Sequence, residues 1–167
     1  MSKYKIGIDL GGSHIAVAVV NINGNIIGEI AQRDIDLSDL STEKTNEFPE
    51  VEIEITKIMV ELIKIAVKNA GVDFKEIDFI GIGSPGSSSG ETIKRTNKLG
   101  LKEFNIGKAL RDKFSEINLD LKVKILVEND ANCAGIGELI KGSLAKTKNS
   151  ILLTFRNRNR CSNYFKW

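Results

Sequence analysis

Apolar and polar positions alternate at the start of the chain in a pattern that predicts three strands. Residues 4–10 and 14–20 each have the pattern of a strand. Asn23-Gly24 favours a type I′ hairpin turn that leads into a third strand over residues 25–30. The opening of the chain is therefore predicted to be a three-stranded meander.

Further along the chain, apolar residues recur at helical spacing instead of alternating with polar ones. Residues 36–47 are polar and acidic, which predicts a loop. Apolar side chains then recur at the spacing of one helix face up to Gly71, a residue type that commonly follows a helix end. These side chains are Val51, Ile55, Ile58, Met59, Leu62, Ile63, Ala66 and Val67. They predict a long amphipathic helix that packs on the sheet.

Two short apolar runs are typical of buried strands that deliver functional loops. Residues 77–83 lead into Ser84-Pro85-Gly86-Ser87, and residues 123–127 lead into Glu128-Asn129-Asp130.

Helices are predicted over residues 106–114 and from Ala131 to about Ile140, with Asp130 at or near the N-cap of the second helix. One more strand is predicted over residues 151–154. The predicted fold class is α/β, with a mixed sheet and flanking helices.

Charge is unevenly distributed along the chain, which has a net charge of +2. Arg156, Arg158, Arg160 and Lys166 lie in a terminal stretch without acids, and residues 1–155 carry a net charge of −2. A nucleic-acid surface needs basic residues gathered on a folded face. No nucleic-acid partner is therefore expected, and the residues from Arg156 to Arg160 are expected to form an unstructured tail.

No apolar run approaches the roughly 20 residues that span a bilayer, and the N-terminus leads into a strand pattern rather than a signal peptide. The expected location is the cytoplasm, with no membrane partner. Cys133 and Cys161 lack the spacing of a zinc site or a disulfide framework, so both are expected to be free thiols.

A glycine turn follows the first predicted strand. Asp9 ends that strand, and Gly11-Gly12-Ser13 follows it. Glycines let backbone N–H groups approach a phosphate closely, and Ser13 adds a hydroxyl. Asp9 is a candidate Mg²⁺ ligand, directly or through water, because Mg²⁺ takes one or two carboxylates together with substrate phosphates. A purely structural turn is the open alternative.

Asn129-Asp130 supplies a second candidate motif. The Asp130 carboxylate can accept a proton from a substrate hydroxyl, and the Asn129 amide can orient neighbouring hydroxyls. Phosphoryl transfer requires mainly positioning and charge neutralisation, so the two motifs together suggest a kinase that acts on a polyol. Alternatively, Asp130 only caps the helix that begins at Ala131.

Other polar positions are weaker candidates. Gly83-Ser84-Pro85-Gly86 predicts a rigid turn at the carboxyl end of a strand, where ligands bind in open α/β sheets. Asn97 offers another amide to sugar hydroxyls. A structural turn is the alternative explanation of both features. His14 is expected to pack or to face solvent rather than to act as a base.

Three segments together resemble the N-terminal half of the ROK family (repressor, open reading frame, kinase). They are Ile8-Asp9-Leu10-Gly11-Gly12-Ser13, Gly81-Ile82-Gly83-Ser84-Pro85-Gly86, and Glu128-Asn129-Asp130-Ala131-Asn132 with Gly137-Glu138. The match runs from residue 4 to about residue 154. The resemblance implies the two-lobed actin-like ATPase (ribonuclease H-like) fold, of which this chain holds the first lobe and the start of the second.

The resemblance also implies three regions and a set of site residues. The regions are a small lobe over residues 1–120, the first strand, helix and strand of the large lobe over 121–155, and an aberrant basic tail over 156–167. ATP and Mg²⁺ would lie in the cleft between the lobes. By this resemblance Asp130 is the catalytic base, the sugar contacts are Gly86, Asn97 and Asn129, and the phosphate and metal end is Asp9, Gly11, Gly12 and Ser13.

The activity implied by the resemblance is ATP-dependent phosphorylation of a hexose. Family repressors usually carry a helix-turn-helix domain before the glycine turn, which this chain lacks, and this favours a kinase. A non-catalytic carbohydrate-responsive regulator, or a fragment that serves only for interaction, is the alternative. An actin- or chaperone-like ATPase shares the glycine turn but explains Asn129-Asp130 less well.

The family's second phosphate loop, its Glu and His sugar contacts and its Cys-rich zinc site have no counterpart in this sequence, so no zinc is expected. Codons that encode residues 155–167 can be written so that deletion of one T gives Leu-Gly-Thr-Gly-Ile-Gly-Ala-Ala-Ile-Ile-Ser-Asn, which resembles that loop. We hypothesise that a one-base insertion truncated a full kinase, and the source DNA tests this. This chain alone is then expected to have negligible turnover and to expose apolar surface that favours homo-oligomers.

Overall fold

The computed structural model describes residues 4–36, 49–119 and 122–153, together with the backbone of residues 163–166. The elements are β1 (Tyr4–Leu10), β2 (His14–Asn21), β3 (Ile26–Asp34), α1 (Pro49–Ala70), β4 (Ile77–Ser84), β5 (Ser87–Ser89), β6 (Thr92–Thr96), β7 (Leu101–Asn105), α2 (Ile106–Glu116), β8 (Lys124–Asn129), α3 (Asp130–Lys141), β9 (Asn149–Leu152) and β10 (Asn163–Lys166). A short 3-10 turn, Phe74–Glu76, precedes β4.

Five strands form one mixed sheet in the order β3-β2-β1-β4-β8. β1 pairs with β2 in antiparallel and with β4 in parallel orientation, and β4 pairs in parallel with β8. The predicted meander, the long helix and the two buried strands are therefore confirmed. Because β1, β4 and β8 are parallel, their carboxyl ends meet at one edge of the sheet.

The predicted boundary at residue 120 does not coincide with the end of this sheet. The strand just after that boundary, β8, was expected to open the large lobe, but it is the fifth strand of the first sheet. The physical reason is its apolar alternation: Ile125 and Val127 are buried in the core that β1 and β4 share. The division into lobes at residue 120 itself stays a prediction.

The core lies between the sheet and α1. Ile6, Ile8 and Leu10 of β1 are buried, whereas Lys5 and Asp9, which alternate with them, are exposed on the other face. The helix contributes fully buried side chains from one stripe, including Ile55, Met59 and Ile63. Burial of each such side chain stabilises the fold by about 1.5–3 kcal/mol. The opposite face of the sheet is thereby left to carry Asp9.

A second, three-stranded sheet, β5-β6-β7, was not predicted from the sequence. Its strands are too short to give a clear alternating pattern, and their order depends on contacts made by neighbouring elements. The Ser88 hydroxyl donates to the Val127 carbonyl at 3.0 Å, and the Val127 N–H donates to the Gly90 carbonyl at 2.8 Å. These bonds attach the small sheet to β8.

The turn between β2 and β3 differs from the predicted type I′ turn. Gly24 has a positive φ of 73°, but Asn23 is not among the described residues with positive φ. The Gly24 N–H donates to the Asn21 carbonyl at 2.9 Å, and the Asn21 side chain accepts from the N–H groups of Asn23 and Asn25. The Asn21 side chain therefore favours a longer loop, in which only the glycine takes the left-handed conformation.

Some predictions concern residues outside the described part of the chain. These are residues 37–47 of the loop predicted over residues 36–47, the tail from Arg156 to Arg160 and the thiol of Cys161. Residues 163–166, which fall in the predicted aberrant tail, form β10 and pair in antiparallel orientation with β9. Among the described residues, no helix combines the length and the apolar character needed to cross a membrane.

Gly28 tests how tightly α1 packs on β3. Its φ is +73°, and a Cβ there would lie 2.6 Å from the Asn69 carbonyl oxygen; Gly90 has a φ of +59° but open space around it. Gly90→Ala should therefore cost about 1–2 kcal/mol from backbone strain alone. Gly28→Ala should cost about 1–3 kcal/mol more, because the helix must also move. Urea unfolding measures both, and equal losses would contradict this packing.

Candidate functional site

Three strands place acidic residues along one edge of the large sheet. Asp9 pairs with Gly83, which pairs in turn with Glu128, so these residues form one row across β1, β4 and β8. Neighbouring strands lie about 4.8 Å apart, which puts the backbones of Asp9 and Glu128 roughly 10 Å from each other. Gly83 has no side chain to fill the space between them.

An open cavity of about 1440 Å³ adjoins this row. Asp9, Glu128 and Asp130 line it, together with Lys98. Its other end is apolar and is lined by side chains that include Phe79, Leu126, Ile136 and Ile140. The predicted phosphate end and the predicted base therefore face the same cavity.

The glycine turn after β1 is closed by its own backbone. The Gly11 N–H donates to the His14 carbonyl at 2.9 Å, so this donor serves the turn. His14 Nε2 lies 3.3 Å from Asp9 Oδ2. That contact could not be predicted from the sequence, because β1 and β2 must pair before the two side chains meet. Asp9 keeps about half of its side chain exposed, at 53%.

Gly12 is covered by a side chain from a different loop. A Cβ at Gly12 would lie 2.2 Å from Cε of Lys98 and 2.7 Å from its Cδ. Lys98 belongs to the turn between β6 and β7, directly after Asn97. A side chain at position 12 would therefore require the Lys98 side chain to move. Lys98 carried no motif that would have singled it out in the sequence.

Asn129 is the N-cap of α3 and Asp130 follows it directly, in agreement with the prediction of Asp130 at or near the cap. The Asn129 Oδ1 accepts from the N–H groups of Ala131 at 3.0 Å and Asn132 at 3.2 Å. Asp130 is the first residue of the helix, and its Oδ1 accepts from the Ala131 N–H at 2.8 Å. Asn129 has the extended backbone that a cap needs, with φ of −61° and ψ of 136°, so its amide satisfies the helix start.

The same Asn129 side chain holds the glycine turn that follows β4. Its Nδ2 donates to the Gly86 carbonyl at 3.0 Å. Gly86 has a φ of +95°, and a Cβ there would lie 2.1 Å from the Arg95 carbonyl oxygen. Gly86 therefore sits where only glycine fits, between α3 and the turn that carries Asn97.

Asn97 lies in the turn between β6 and β7. Its Oδ1 accepts from Nε of Arg95 at 3.3 Å. The neighbouring Lys98 lines the cavity, whereas Asn97 is not part of its described wall. Gly86, Asn129 and the Gly11–Ser13 turn also lie outside that wall and adjoin it through Asp130, Lys98 and Asp9.

Glu128 was not singled out as a site residue, yet it lines the cavity beside Asp130. Its Oε1 accepts from Nδ2 of Asn132 at 3.0 Å and from the Asn129 N–H at 2.8 Å. These bonds direct the carboxylate towards the first turn of α3, where the helix dipole favours negative charge.

Cys133 was also not predicted as a site residue, and it is a free thiol that lines the cavity. Packing around the thiol raises its pKa, and the negative charges of Glu128, Asp130 and Asp9 raise it further. Asp9, Asp130 and Cys133 line the same cavity, so the two carboxylates and the thiol share one electrostatic environment.

The described residues contain no cluster of three or more His, Cys, Asp or Glu side chains that would hold a metal ion without other ligands. A Mg²⁺ ion that arrives with a nucleotide needs less from the protein, since phosphates and waters supply most of its ligands. The half-exposed Asp9 carboxylate fits that requirement.

The two roles of Asn129 can be separated by comparison with Asn105, the N-cap of α2, which accepts from the Lys108 N–H at 2.9 Å. Asn105→Ala should cost about 0.5–2 kcal/mol through loss of a cap. Asn129→Ala should cost about 1 kcal/mol more, because the bond to Gly86 is also lost. Chemical denaturation measures both losses. An unchanged NMR signal of the Gly86 amide in Asn129→Ala would contradict the link.

Cys133 reports on the charges in the cavity. In a Cys161→Ser background, iodoacetamide should alkylate Cys133 with a midpoint pH above that of an ordinary thiol, because neighbouring negative charges disfavour the thiolate. Asp130→Asn removes one of these charges and should lower the midpoint. Glu138→Gln, on the same helix, is the control and should leave it unchanged. An unchanged midpoint pH in Asp130→Asn would show that the charge of Asp130 does not act on Cys133.

Comparison with known proteins places this geometry in a family. The model of the ROK family matches residues 5–156. The glucokinase of Halalkalibacterium halodurans is 27% identical over 154 residues, which cover 91% of this chain and 41% of that protein. The chain thus spans about two fifths of the length of this curated relative.

Solved structures share the fold at low sequence identity. A ROK family glucokinase from Streptomyces griseus, in complex with glucose and AMPPNP, has a TM-score of 0.64 at 22% identity, over 92% of this chain and 42% of that chain. A ROK family transcriptional regulator, a homologue of the E. coli MLC protein, has a TM-score of 0.64 at 17% identity, over 92% of this chain and 34% of that chain. The α/β architecture is that of the actin-like ATPase fold. The family match over most of its length shows that the chain belongs to the ROK family.

Proposed function

We propose that the function of this chain derives from ATP-dependent phosphorylation of a hexose, with the cavity between the Asp9 turn and Asp130 as one wall of the active site. The observation that carries the proposal is that Asp9 and Asp130 line the same cavity. A nucleotide phosphate and a sugar hydroxyl must meet in such a space for transfer to occur. Membership of a family with glucokinase relatives supports the same activity.

Asp130 is the proposed catalytic base. Its carboxylate takes the proton of a sugar hydroxyl as the hydroxyl oxygen forms a bond to the γ-phosphorus and the bond from that phosphorus to the ADP oxygen breaks. Asp130 lies in the first turn of α3, where the helix N-terminus favours negative charge. Gly86, Asn97 and Asn129 are the proposed sugar side of the cleft.

Asp9 and the Gly11–Ser13 turn are the proposed phosphate and metal end. Asp9 would hold Mg²⁺, directly or through water, and the turn would approach the phosphates with Gly12 and Ser13. MgATP supplies the phosphoryl group and the charge neutralisation when it binds. The residues of this chain then orient the hydroxyl and receive its proton.

The described residues supply one wall of the cleft, and the chain spans about two fifths of the glucokinase relative. We therefore propose that this chain binds a hexose but has negligible turnover by itself. Removal of even one charge-stabilising donor costs about 10²–10³ in rate at acyl-transfer sites. Turnover at the rate of a complete kinase, measured in a coupled assay with ATP and glucose, would contradict this.

The sugar side can be tested by binding without turnover. Isothermal titration with glucose, mannose and N-acetylmannosamine should detect weak binding of at least one sugar. Asp130→Asn should weaken it roughly 10-fold or more, since a hydrogen bond from a hydroxyl to a charged carboxylate is worth about 1.5–3 kcal/mol. Asp112→Asn, on the exposed face of α2, is the matched control and should bind like the unmodified chain. Equal affinity in Asp130→Asn would remove Asp130 from the sugar site.

A carbohydrate-responsive regulator without catalysis is the second candidate. The likeness to a ROK transcriptional regulator favours it. This alternative expects sugar binding that is lost in Asp130→Asn, but no response of the Asp9 turn to MgATP. NMR titration of the Gly12 amide with MgATP separates the two candidates.

A further inference from the structure

Lys98 links the two ends of the proposed active site. It follows Asn97 in the turn between β6 and β7, and its aliphatic stem covers Gly12 so closely that a Cβ at Gly12 would overlap Cε, Cδ and Cγ of the lysine. The contact joins the turn on the sugar side to the turn on the phosphate side. The two turns are therefore in direct contact through one side chain.

Lys98 also brings a positive charge to the wall of the cavity. Among the residues that the structure describes, Lys98 makes no ion pair and no side-chain hydrogen bond, although Asp9, Glu128 and Asp130 line the same cavity. The other lysine on this cavity, Lys141, donates to Oδ1 of Asn25 at 3.1 Å. Of the two cations, Lys98 is therefore the one that lies against the Gly12 turn with its charge available.

Lys98 is exposed as a whole, and the contact of its stem with Gly12 makes this cation well suited to an anion. A lysine loses considerable side-chain freedom when it binds a ligand, and that cost is smaller where the stem is already held. The ammonium group carries three donors and acts as a compact positive charge for phosphate oxygens. The position beside Gly12 puts this charge at the proposed phosphate end of the cavity that Asp130 also lines.

We propose that Lys98 is a phosphate-binding residue of this site, which contacts the oxygens of the phosphoryl group held between the Gly12 turn and Asp130. This inference rests on the proposed function and adds a cationic contact to it. The positive charge would offset repulsion between the phosphate and the three acidic side chains. Because the same residue follows Asn97, movement of the sugar-side turn would also move this contact.

The charge and the stem of Lys98 can be tested separately. Lys98→Met keeps an unbranched apolar stem over Gly12 but removes the charge, whereas Lys98→Arg keeps a cation. NMR titration of the ¹⁵N-labelled chain with MgATP, followed at the Gly11, Gly12 and Ser13 amides, gives the affinity even when binding is weak. Lys98→Met should weaken MgATP binding roughly 10-fold or more. Lys98→Arg should recover most of that affinity.

Lys141→Met is the matched control, because it removes a second lysine from the same cavity at the end away from the Gly12 turn. It should bind MgATP like the unmodified chain. A glucose titration and a thermal unfolding curve accompany each variant. Lys98→Met should keep both the glucose affinity and the melting temperature, since only its charge has changed.

The possible outcomes distinguish this inference from the proposed function. If Lys98→Met binds MgATP as the unmodified chain does, or if Lys98→Arg fails to recover binding, Lys98 is not a phosphate ligand. The proposed sugar site is then judged separately, by the glucose titration. If Lys98→Met and Lys141→Met weaken binding equally, the effect is one of net charge, and the inference is overturned. If the unmodified chain binds neither MgATP nor glucose, the proposed function and this inference both fail.

Discussion

The parallel pairing of β1, β4 and β8 is the constraint on which the site depends. It aligns Asp9, Gly83 and Glu128 in one row and places Ser84 opposite Asn129. A one-residue slip in this register would turn the side chain of Asp9 towards α1, into the apolar core. The buried alternation of Ile6, Ile8 and Leu10 prevents such a slip, because it would place these side chains on the other face. Core packing and the geometry of the proposed active site are therefore two consequences of the same register.

The Asn129 amide adds the second constraint, at the point where the strands end. Its oxygen satisfies the first turn of α3, and its nitrogen holds the Gly86 carbonyl. The orientation of Asp130 is thereby fixed to the turn after β4 through a single side chain. Sites carried on the ends of strands and helices hold their geometry better than sites carried on free loops. The proposed base and the proposed sugar turn share one such support.

The sequence was informative where local signals and tertiary structure agree. Apolar alternation predicted β1, β2, β4 and β8, helical spacing predicted α1, and the residues Asp9 and Asp130 were singled out at strand ends. Their common cavity follows from parallel pairing. The prediction placed Asp130 at or near the N-cap. The sequence could not decide that the cap itself is Asn129, because both residue types favour that position and only the backbone conformation distinguishes them.

Other features could not be predicted, because they arise only from contacts across the fold. Strands β5 to β7 are three to five residues long, and bonds from Ser88 and Gly90 attach them to β8. The sheet that β8 joins could not be predicted for a related reason: an apolar run does not indicate which sheet it joins. The proposed role of Lys98 could not be predicted for the same reason. It depends on Gly12, which lies 86 positions earlier in the sequence and contacts Lys98 only after folding.

The acidic character of the cavity gives a physical reason for expecting cations in its proposed function. Asp9, Glu128 and Asp130 surround a space in which a phosphate would bring further negative charge, and mutual repulsion grows as water is excluded. The negative charge of Glu128 is partly compensated by the Asn132 amide and the Asn129 N–H. That of Asp130 is partly compensated by the N-terminus of α3. Asp9 has its contact with His14, which carries a positive charge only when protonated. The phosphate end is therefore where compensation by the fold is weakest, so Mg²⁺ at Asp9 and the charge of Lys98 beside Gly12 would act where positive charge is most needed.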